Sequence, residues 1–189
     1  MYSADVNKII PFSSVDGPGN RTAIFLQGCN FNCKYCHNPE TRNLCINCMD
    51  CVPTCPTAAL SNKDGKVVFE PQKCIACDTC IKVCKHGATP RIVRMTSKET
   101  FDKICENVPF IRGITFSGGE CSLYPDFMRE VFTLCKQAGL GTMIDSNGGI
   151  DFRKFNGLLE VCDGVMLDIK AYDYNEHIKV VVLDSLQFS

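Results

Sequence analysis

The chain has 189 residues, enough for one domain of ordinary size or one domain plus a small insert. Its 45% hydrophobic content supports a real core, its net charge is −1 with no basic block, and fifteen residues are cysteine. That charge pattern argues against a nucleic-acid partner, and no apolar run reaches the roughly 18 residues of a membrane span. Met1 to Lys8 contains no apolar signal core, so nothing points to secretion. Disulfides are rare in reducing compartments, which makes metal clusters in the cytoplasm the better account of so many thiols.

Ile9-Ile-Pro-Phe12 leads into Val15-Asp-Gly-Pro-Gly19, where glycine and proline break regular structure. Arg21 to Gln27 reads as a buried strand. At its C-terminal end, after Gly28, comes Cys29-Asn-Phe-Asn-Cys33-Lys-Tyr-Cys36, followed by His37-Asn38-Pro39. Three thiolates at this C-x3-C-x2-C spacing can hold one compact metal centre. Iron–sulfur cubanes normally take four cysteines, so a cubane on three leaves one iron without a protein ligand. An open coordination position separates a reactive metal site from a structural one. Gly28 lets backbone approach closely, and Tyr35 offers a flat face beside the last cysteine. A zinc site or a disulfide knot is the competing account, but zinc motifs usually pair two C-x2-C-like halves.

Composition breaks from Leu44 to about Thr89, and a repeat lies inside the break. Cys45, Cys48, Cys51 and Cys55 recur as Cys74, Cys77, Cys80 and Cys84, each 29 positions on. Both runs have C-x2-C-x2-C-x3-C spacing and resemble the bacterial ferredoxin pattern, in which the fourth cysteine serves the other cluster. That resemblance assigns Cys45, Cys48, Cys51 and Cys84 to one 4Fe–4S centre, and Cys74, Cys77, Cys80 and Cys55 to a second. Lys85 stands where a second proline is expected. Lys66-Val-Val-Phe69 reads as a short strand.

Thr96-Ser-Lys-Glu99 then matches a helix capping box, with Phe101, Ile104 and Cys105 on one helical face. Gly113 to Ser117 is a strand closed by Gly118-Gly119-Glu120. Pro125 begins a helix whose buried face is Phe127, Met128, Val131, Phe132 and Cys135, and Gly139 ends it. Gly141 to Ile144 is a strand running into Asp145-Ser-Asn-Gly148. A shorter helix is expected over 152–161, and Gly164 to Asp168 is a fourth strand. Cys105, Cys135 and Cys162 fall in apolar patterns and read as core, as does Cys121; His86 and His177 read as surface histidines.

Alternating strands and helices predict a parallel α/β architecture. The chain outside the insert, about 140 residues, accommodates four βα units of about 30 residues each. Chemistry in such barrels gathers at the C-terminal strand ends, where every polar signature here falls. The expected fold is a partial TIM-like (β/α) barrel with an inserted two-cluster ferredoxin-like domain. Its expected segments are 1–43 and 91–175 for the barrel, 44–90 for the insert and 176–189 for a divergent tail.

The three-cysteine spacing resembles that of the radical S-adenosylmethionine enzymes. Val15-Asp-Gly-Pro-Gly19, Gln27-Gly-Cys29 and Cys36-His-Asn-Pro39 resemble the glycyl-radical-enzyme activating enzymes. Asp145 to Gly148 and Cys162 to Lys170 resemble the YjjW-type branch, the likeness running from about Ile9 to Asp173. The resemblance implies a barrel of the radical S-adenosylmethionine type with a catalytic cluster on Cys29, Cys33 and Cys36. Nucleotide contacts are implied for Tyr35, Gly118, Gly119, Glu120, Ser146, Asp168 and Lys170, the Gly-Gly-Glu segment meeting the methionyl amino group. A monovalent cation is implied between Asp145, Glu120, Asp168 and the Met166 carbonyl. Asp16 is placed against the glycine-bearing loop of a protein substrate, or is an ordinary turn aspartate; Arg21 and His37 are weaker site candidates. The reaction implied is reductive cleavage of S-adenosylmethionine to a 5′-deoxyadenosyl radical that makes a glycyl radical on a partner enzyme. Flavodoxin or ferredoxin would supply the electron, by way of the two insert clusters. Two rivals stand beside this: a radical enzyme with another substrate, and a non-catalytic iron–sulfur electron carrier. Members of that family continue past Asp173 for two more βα units. The expectation is therefore a truncated chain that binds clusters and activates poorly, with 180–183 either pairing as a fifth strand or staying free.

Overall fold

The structure, a computed structural model, describes residues 1–183. Its strands are β1 (Ser3–Ser13), β2 (Arg21–Leu26), β3 (Phe31–Cys33), β4 (Leu60–Lys63) and β5 (Lys66–Phe69), then β6 (Val93–Thr96), β7 (Gly113–Gly118), β8 (Gly141–Ser146), β9 (Gly164–Leu167) and β10 (Val181–Leu183). The helices are α1 (Thr79–Lys82), α2 (Ser97–Cys105), α3 (Pro125–Gln137) and α4 (Tyr174–Val180). Six strands form one mixed sheet in the order β6-β1-β2-β7-β8-β9. β2, β7, β8 and β9 run parallel, and β1 lies antiparallel between β2 and β6.

The parallel strands are in phase. Arg21, Gly113 and Gly141 share one level, so Leu26 lies opposite Gly118 and the C-terminal ends of β2, β7 and β8 come together. Alternation along β7 divides its two faces. Ile114 and Phe116 enter the main core with no exposed surface, while Thr115 and Ser117 make polar contacts: Thr115 receives an Arg21 guanidinium bond of 2.9 Å, and Ser117 donates to Asp145 at 2.8 Å. α3 covers the apolar face with Phe127, Met128, Val131, Phe132 and Cys135, all buried as their spacing predicts. The Phe132 and Phe127 rings lie 5.3 and 5.7 Å from that of Phe116. α2 begins with the expected capping box, Thr96 and Glu99 bonding each other's backbone N–H.

The structure departs from the sequence reading in five places. β1 was not foreseen, because Pro11 and the polar Asn7 and Lys8 interrupt any alternation; the strand accommodates them through irregular register after Val6 and after Ile10. The helix expected over 152–161 is instead two 3-10 turns, Phe152–Lys154 and Leu159–Val161, separated by Gly157 at φ +72°. Cys105 is exposed at the last turn of α2, whose buried positions are Ser97, Thr100 and Ile104. Val180 ends α4, and Val181–Leu183 pairs with β3 rather than extending the main sheet. His177 of α4 is half-buried, its ring 6.1 Å from Phe31.

The insert contains an antiparallel hairpin, β4–β5, turned by Asp64-Gly65 with both residues at positive φ. Its repeat is also visible in the backbone: left-handed residues Asn47, Met49 and Ala58 recur 29 positions on as Ala76, Asp78 and Gly87.

Replacing Phe116 by alanine removes the ring against which α3 rests, on the strand that carries the site. We expect this to cost about 3–5 kcal/mol of unfolding free energy. Urea titration of the iron-free chain measures it, and a loss below about 1 kcal/mol would contradict the packing described.

Candidate functional site

The three-cysteine loop leaves the end of β2 and returns to it. Gly28 N–H donates to the Thr41 carbonyl at 2.8 Å and Cys29 N–H to the Arg42 carbonyl at 3.0 Å, closing the loop at its base. Gln27, fully buried, reinforces this: its amide nitrogen donates to the Glu40 and Asn43 carbonyls at 2.9 and 2.8 Å, and its oxygen accepts from Asn7 at 2.9 Å. Cys29 and Cys33 are buried and Cys36 is partly so. The Phe31 N–H and the Asn147 amide donate to the Cys29 sulfur at 3.4 and 3.6 Å. Burial pushes the Cys29 thiol up to about 11, so a metal centre must displace a firmly held proton to bind there.

The three sulfurs line one cavity of about 170 Å³. Its opposite wall is built from the strand ends: Gly118 and Gly119 after β7, Asp145, Ser146 and Asn147 at the end of β8, and Asp168 and Lys170 after β9. Cys121, the other cysteine near these ends, has no exposed surface and directs its thiol to the Phe116 and Asp145 carbonyls. The donor set facing the cavity is thus three sulfurs without a fourth. Such a set fits an iron–sulfur cubane with one iron free of protein ligands.

Gly118 and Gly119 are required by packing. A Cβ on Gly118 would stand 2.3 Å from the Leu26 backbone, and one on Gly119 would stand 2.2 Å from the Gly28 carbonyl oxygen. Glu120 is 1% exposed and turned into its own loop. Its carboxylate accepts from Ser122 N–H at 3.0 Å, the Ser122 hydroxyl at 2.5 Å, the Ser146 hydroxyl at 2.9 Å and Asn147 N–H at 2.8 Å. It acts on the cavity by fixing Ser146 and Asn147.

Asp145, Glu120 and Asp168, the three carboxylates of the expected cation site, each hold a partner of their own. Asp168 forms an ion pair with Lys170, Glu120 is consumed by its loop, and Asp145 keeps the Ser117 hydroxyl. Among the described residues no three His, Cys, Asp or Glu side chains are gathered closely enough for one metal ion. Met166 lies opposite Asp145 in the β8–β9 ladder. The three carboxylates still feel one another: burial raises the Asp145 carboxyl, and the charges of Asp168, Asp16 and Glu120 raise it further.

Asp16 lies outside the cavity wall, its carboxylate held by the Ser13 hydroxyl and its carbonyl by Thr115 at 2.6 Å. Tyr35 is half-exposed and its hydroxyl donates to the Lys170 carbonyl. His37 lines the cavity, whereas Arg21 binds the Ile114 and Gly141 carbonyls at the opposite end of the strands, at 2.7 and 3.0 Å. Asn147, Gln27 and Arg42 had no role assigned from sequence; single polar side chains in loops carry no periodic signal.

In the insert, Cys45, Cys48, Cys51 and Cys84 line one small cavity, and Cys55, Cys74, Cys77 and Cys80 line a second. In each, a cysteine from one half of the repeat joins three from the other. Left-handed Ala76 directs its N–H to the Cys74 sulfur at 3.4 Å, the kind of backbone concavity that receives anionic charge.

A model of the radical SAM superfamily matches residues 23–185. The chain belongs to the radical SAM superfamily. It is similar to the indoleacetate decarboxylase activating enzyme of Tractidigestivibacter scatoligenes, 30% identical over 89% of this chain and 61% of that protein. It is similar also to the pyruvate formate-lyase-activating enzyme of Clostridium pasteurianum, 30% identical over 92% of this chain and 55% of the other. The chain spans about half to three-fifths of the length of the curated relatives it matches. Among solved structures it is similar to QueE from Escherichia coli, with a TM-score of 0.48 and 14% identity over 86% of this chain and 69% of that one. No helix among the described residues is long and apolar enough to cross a membrane.

Because its folded-state value is raised, Asp145 keeps its proton longer in the folded chain than in the unfolded one. Its contribution to stability therefore falls as pH rises from the ordinary carboxyl value toward the folded one. Asp145→Asn retains an acceptor for Ser117 without that charge. The iron-free variant should be more stable than the unsubstituted chain at pH 7, with the advantage shrinking as pH is lowered through the carboxylate range. Melting temperatures across that range decide; a difference independent of pH would exclude this origin.

Proposed function

We propose that this chain carries the core machinery of an activase for a glycyl radical enzyme. Cys29, Cys33 and Cys36 would hold a 4Fe–4S cluster, and the cavity that they line would take S-adenosylmethionine beside it. The observation carrying this reading is the one cavity that three sulfurs share with the polar ends of three parallel strands. The bound cluster and nucleotide supply one-electron cleavage of the sulfonium, giving methionine and a 5′-deoxyadenosyl radical able to take a hydrogen atom from a backbone glycine.

The chain's own residues bind, orient and exclude water. Lys170, set by its pair with Asp168, presents a cation to the nucleotide carboxylate. The Ser146 hydroxyl and the Gly118-Gly119 backbone form the wall available to the methionyl end, with Glu120 as the residue that positions them. Asn147 donates toward the Cys29 sulfur, which favours the thiolate that a cluster needs. Tyr35, bonded to the Lys170 carbonyl, sits at the outer rim, where an adenine face can meet it. Asp16, in the turn next to Asp145, is the residue assigned to the partner's glycine loop.

The insert is read as two further 4Fe–4S clusters that relay electrons from a flavodoxin or ferredoxin. The radical chemistry and the reduced thiols suit an anaerobic cytoplasm. The relatives' names support the activase reading, since they are named as activating enzymes, of glycyl-radical enzymes in general or of a particular decarboxylase or lyase.

Anaerobically reconstituted chain, given S-adenosylmethionine and dithionite, should form 5′-deoxyadenosine, and Cys33→Ala should bring the product down to that of a control without protein. S-adenosylmethionine should also change the electron paramagnetic resonance spectrum of the reduced open-site cluster. Full cluster loading with neither response would leave only an electron carrier.

A further inference from the structure

The two cavities of the insert are related by the repeat, yet their charged surroundings differ. The cavity of Cys55, Cys74, Cys77 and Cys80 is also lined by Arg91, which follows the insert and enters β6. The guanidinium is anchored on Asp78 at 2.6 Å, and its side chain is 22% exposed against 53% for the aspartate. Its backbone N–H is fixed on the Thr89 hydroxyl at 3.1 Å. Burial raises the Cys80 thiol, and the Arg91 charge works against that rise.

Two hydroxyls add to the asymmetry. Thr79 lies 3.3 Å from the Cys77 sulfur and Thr57 lies 3.8 Å from that of Cys55. At the repeat-related positions the other half has Asp50 in place of Thr79 and His86 in place of Thr57. Both line the cavity of Cys45, Cys48, Cys51 and Cys84. Lys85 reaches the Asp50 carboxylate at 3.7 Å, but its side chain is 82% exposed, so solvent screens it. One site thus has the Arg91–Asp78 pair, with the cation its more buried member, and two hydroxyls toward its sulfurs, whereas its counterpart has the Asp50–Lys85 pair, with the carboxylate its more buried member.

Net charge and hydrogen bonds to sulfur are the main settings of an iron–sulfur reduction potential. Reduction adds a negative charge, which a nearby cation stabilises and a nearby carboxylate opposes. We propose that Arg91 is a positioning residue for electrons: it holds the centre on Cys55, Cys74, Cys77 and Cys80 at a higher potential than the centre on Cys45, Cys48, Cys51 and Cys84. An electron entering the insert therefore resides beside Arg91. The inference rests on the reading of the insert as a two-cluster unit.

The test is a redox titration followed by electron paramagnetic resonance, on full-length chain with Cys29, Cys33 and Cys36 replaced by alanine so that only the insert signals remain. The titration is run at a pH of about 8.5, above the usual histidine range. Two separate couples are expected. Arg91→Leu should lower the upper couple by at least the 59 mV that a tenfold change represents for one electron, leaving the lower couple in place. Arg91→Lys should restore most of the shift, which a purely structural role would not require. Asp50→Asn should raise the lower couple alone, and it tests the asymmetry even where Arg91→Leu disturbs folding. Coincident couples in the starting protein, or an unmoved upper couple in fully loaded Arg91→Leu, would overturn the inference. Iron and sulfide short of two clusters before any change at Arg91 would overturn instead the reading of the insert, and this inference with it.

Discussion

The site depends on how closely the end of β7 approaches the end of β2. Glu120 N–H reaches the Gly28 carbonyl at 2.8 Å and Gly119 N–H the Leu26 carbonyl at 3.0 Å, a fit that only glycine at 118 and 119 permits. Gly28 starts the cysteine loop, so the same contact that ends one strand sets the position of the sulfurs relative to the other strand ends. The in-phase ladder carries that placement across to β8 and β9. Sheet register, together with that contact beyond the strand ends, brings thiols and strand-end polar groups to one cavity.

Around that contact the chain keeps charge where it is useful and neutralises it elsewhere. Glu120 is a buried carboxyl group whose oxygens are satisfied by four donors. Asp145 has one donor, and its carboxyl rises through burial first and then through the charges of Asp168, Asp16 and Glu120. Lys170 faces the cavity with its charge offset by Asp168, which lies more open to solvent. The apolar side of the same strands is ordinary core, with Phe116 between Phe127 and Phe132. Catalytic-type polarity and packing thus occupy opposite faces of single strands, a division that the alternation of side chains makes inevitable.

Much of this was legible in the sequence. The cysteine spacings, the capping box at Thr96 and the apolar stripe of α3 each repeat a local geometric rule, and each rule is strong enough to survive folding. β1 was not legible, because its pairing relies on irregular register that tolerates a proline; nor was the roll-over of 152–161 into two tight turns. The Asp64-Gly65 hairpin carried a readable turn signal that only its second strand made use of. At the site the sequence names residue types but not their directions. Glu120 and the two glycines lie where expected, but which way a side chain turns depends on Ser122, Ser146 and Asn147, neighbours no periodicity encodes.

The twinned left-handed positions of the insert have a consequence for how the protein is made. Met49, Ala58 and Ala76 hold a backbone conformation that side-chain-bearing residues adopt at a cost of about 1–2 kcal/mol each. Among the described residues the apolar cluster of this segment has Leu60 and two cysteines as its buried members, with Val52, Val67, Phe69, Ile81 and Val83 partly buried against them. On the proposed two-cluster reading, ligation would add ordering energy to this small core. Maturation of the segment would then be tied to the supply of iron and sulfide: a cell starved of either would hold a chain with a formed sheet and an unfinished appendage, exposed to proteolysis.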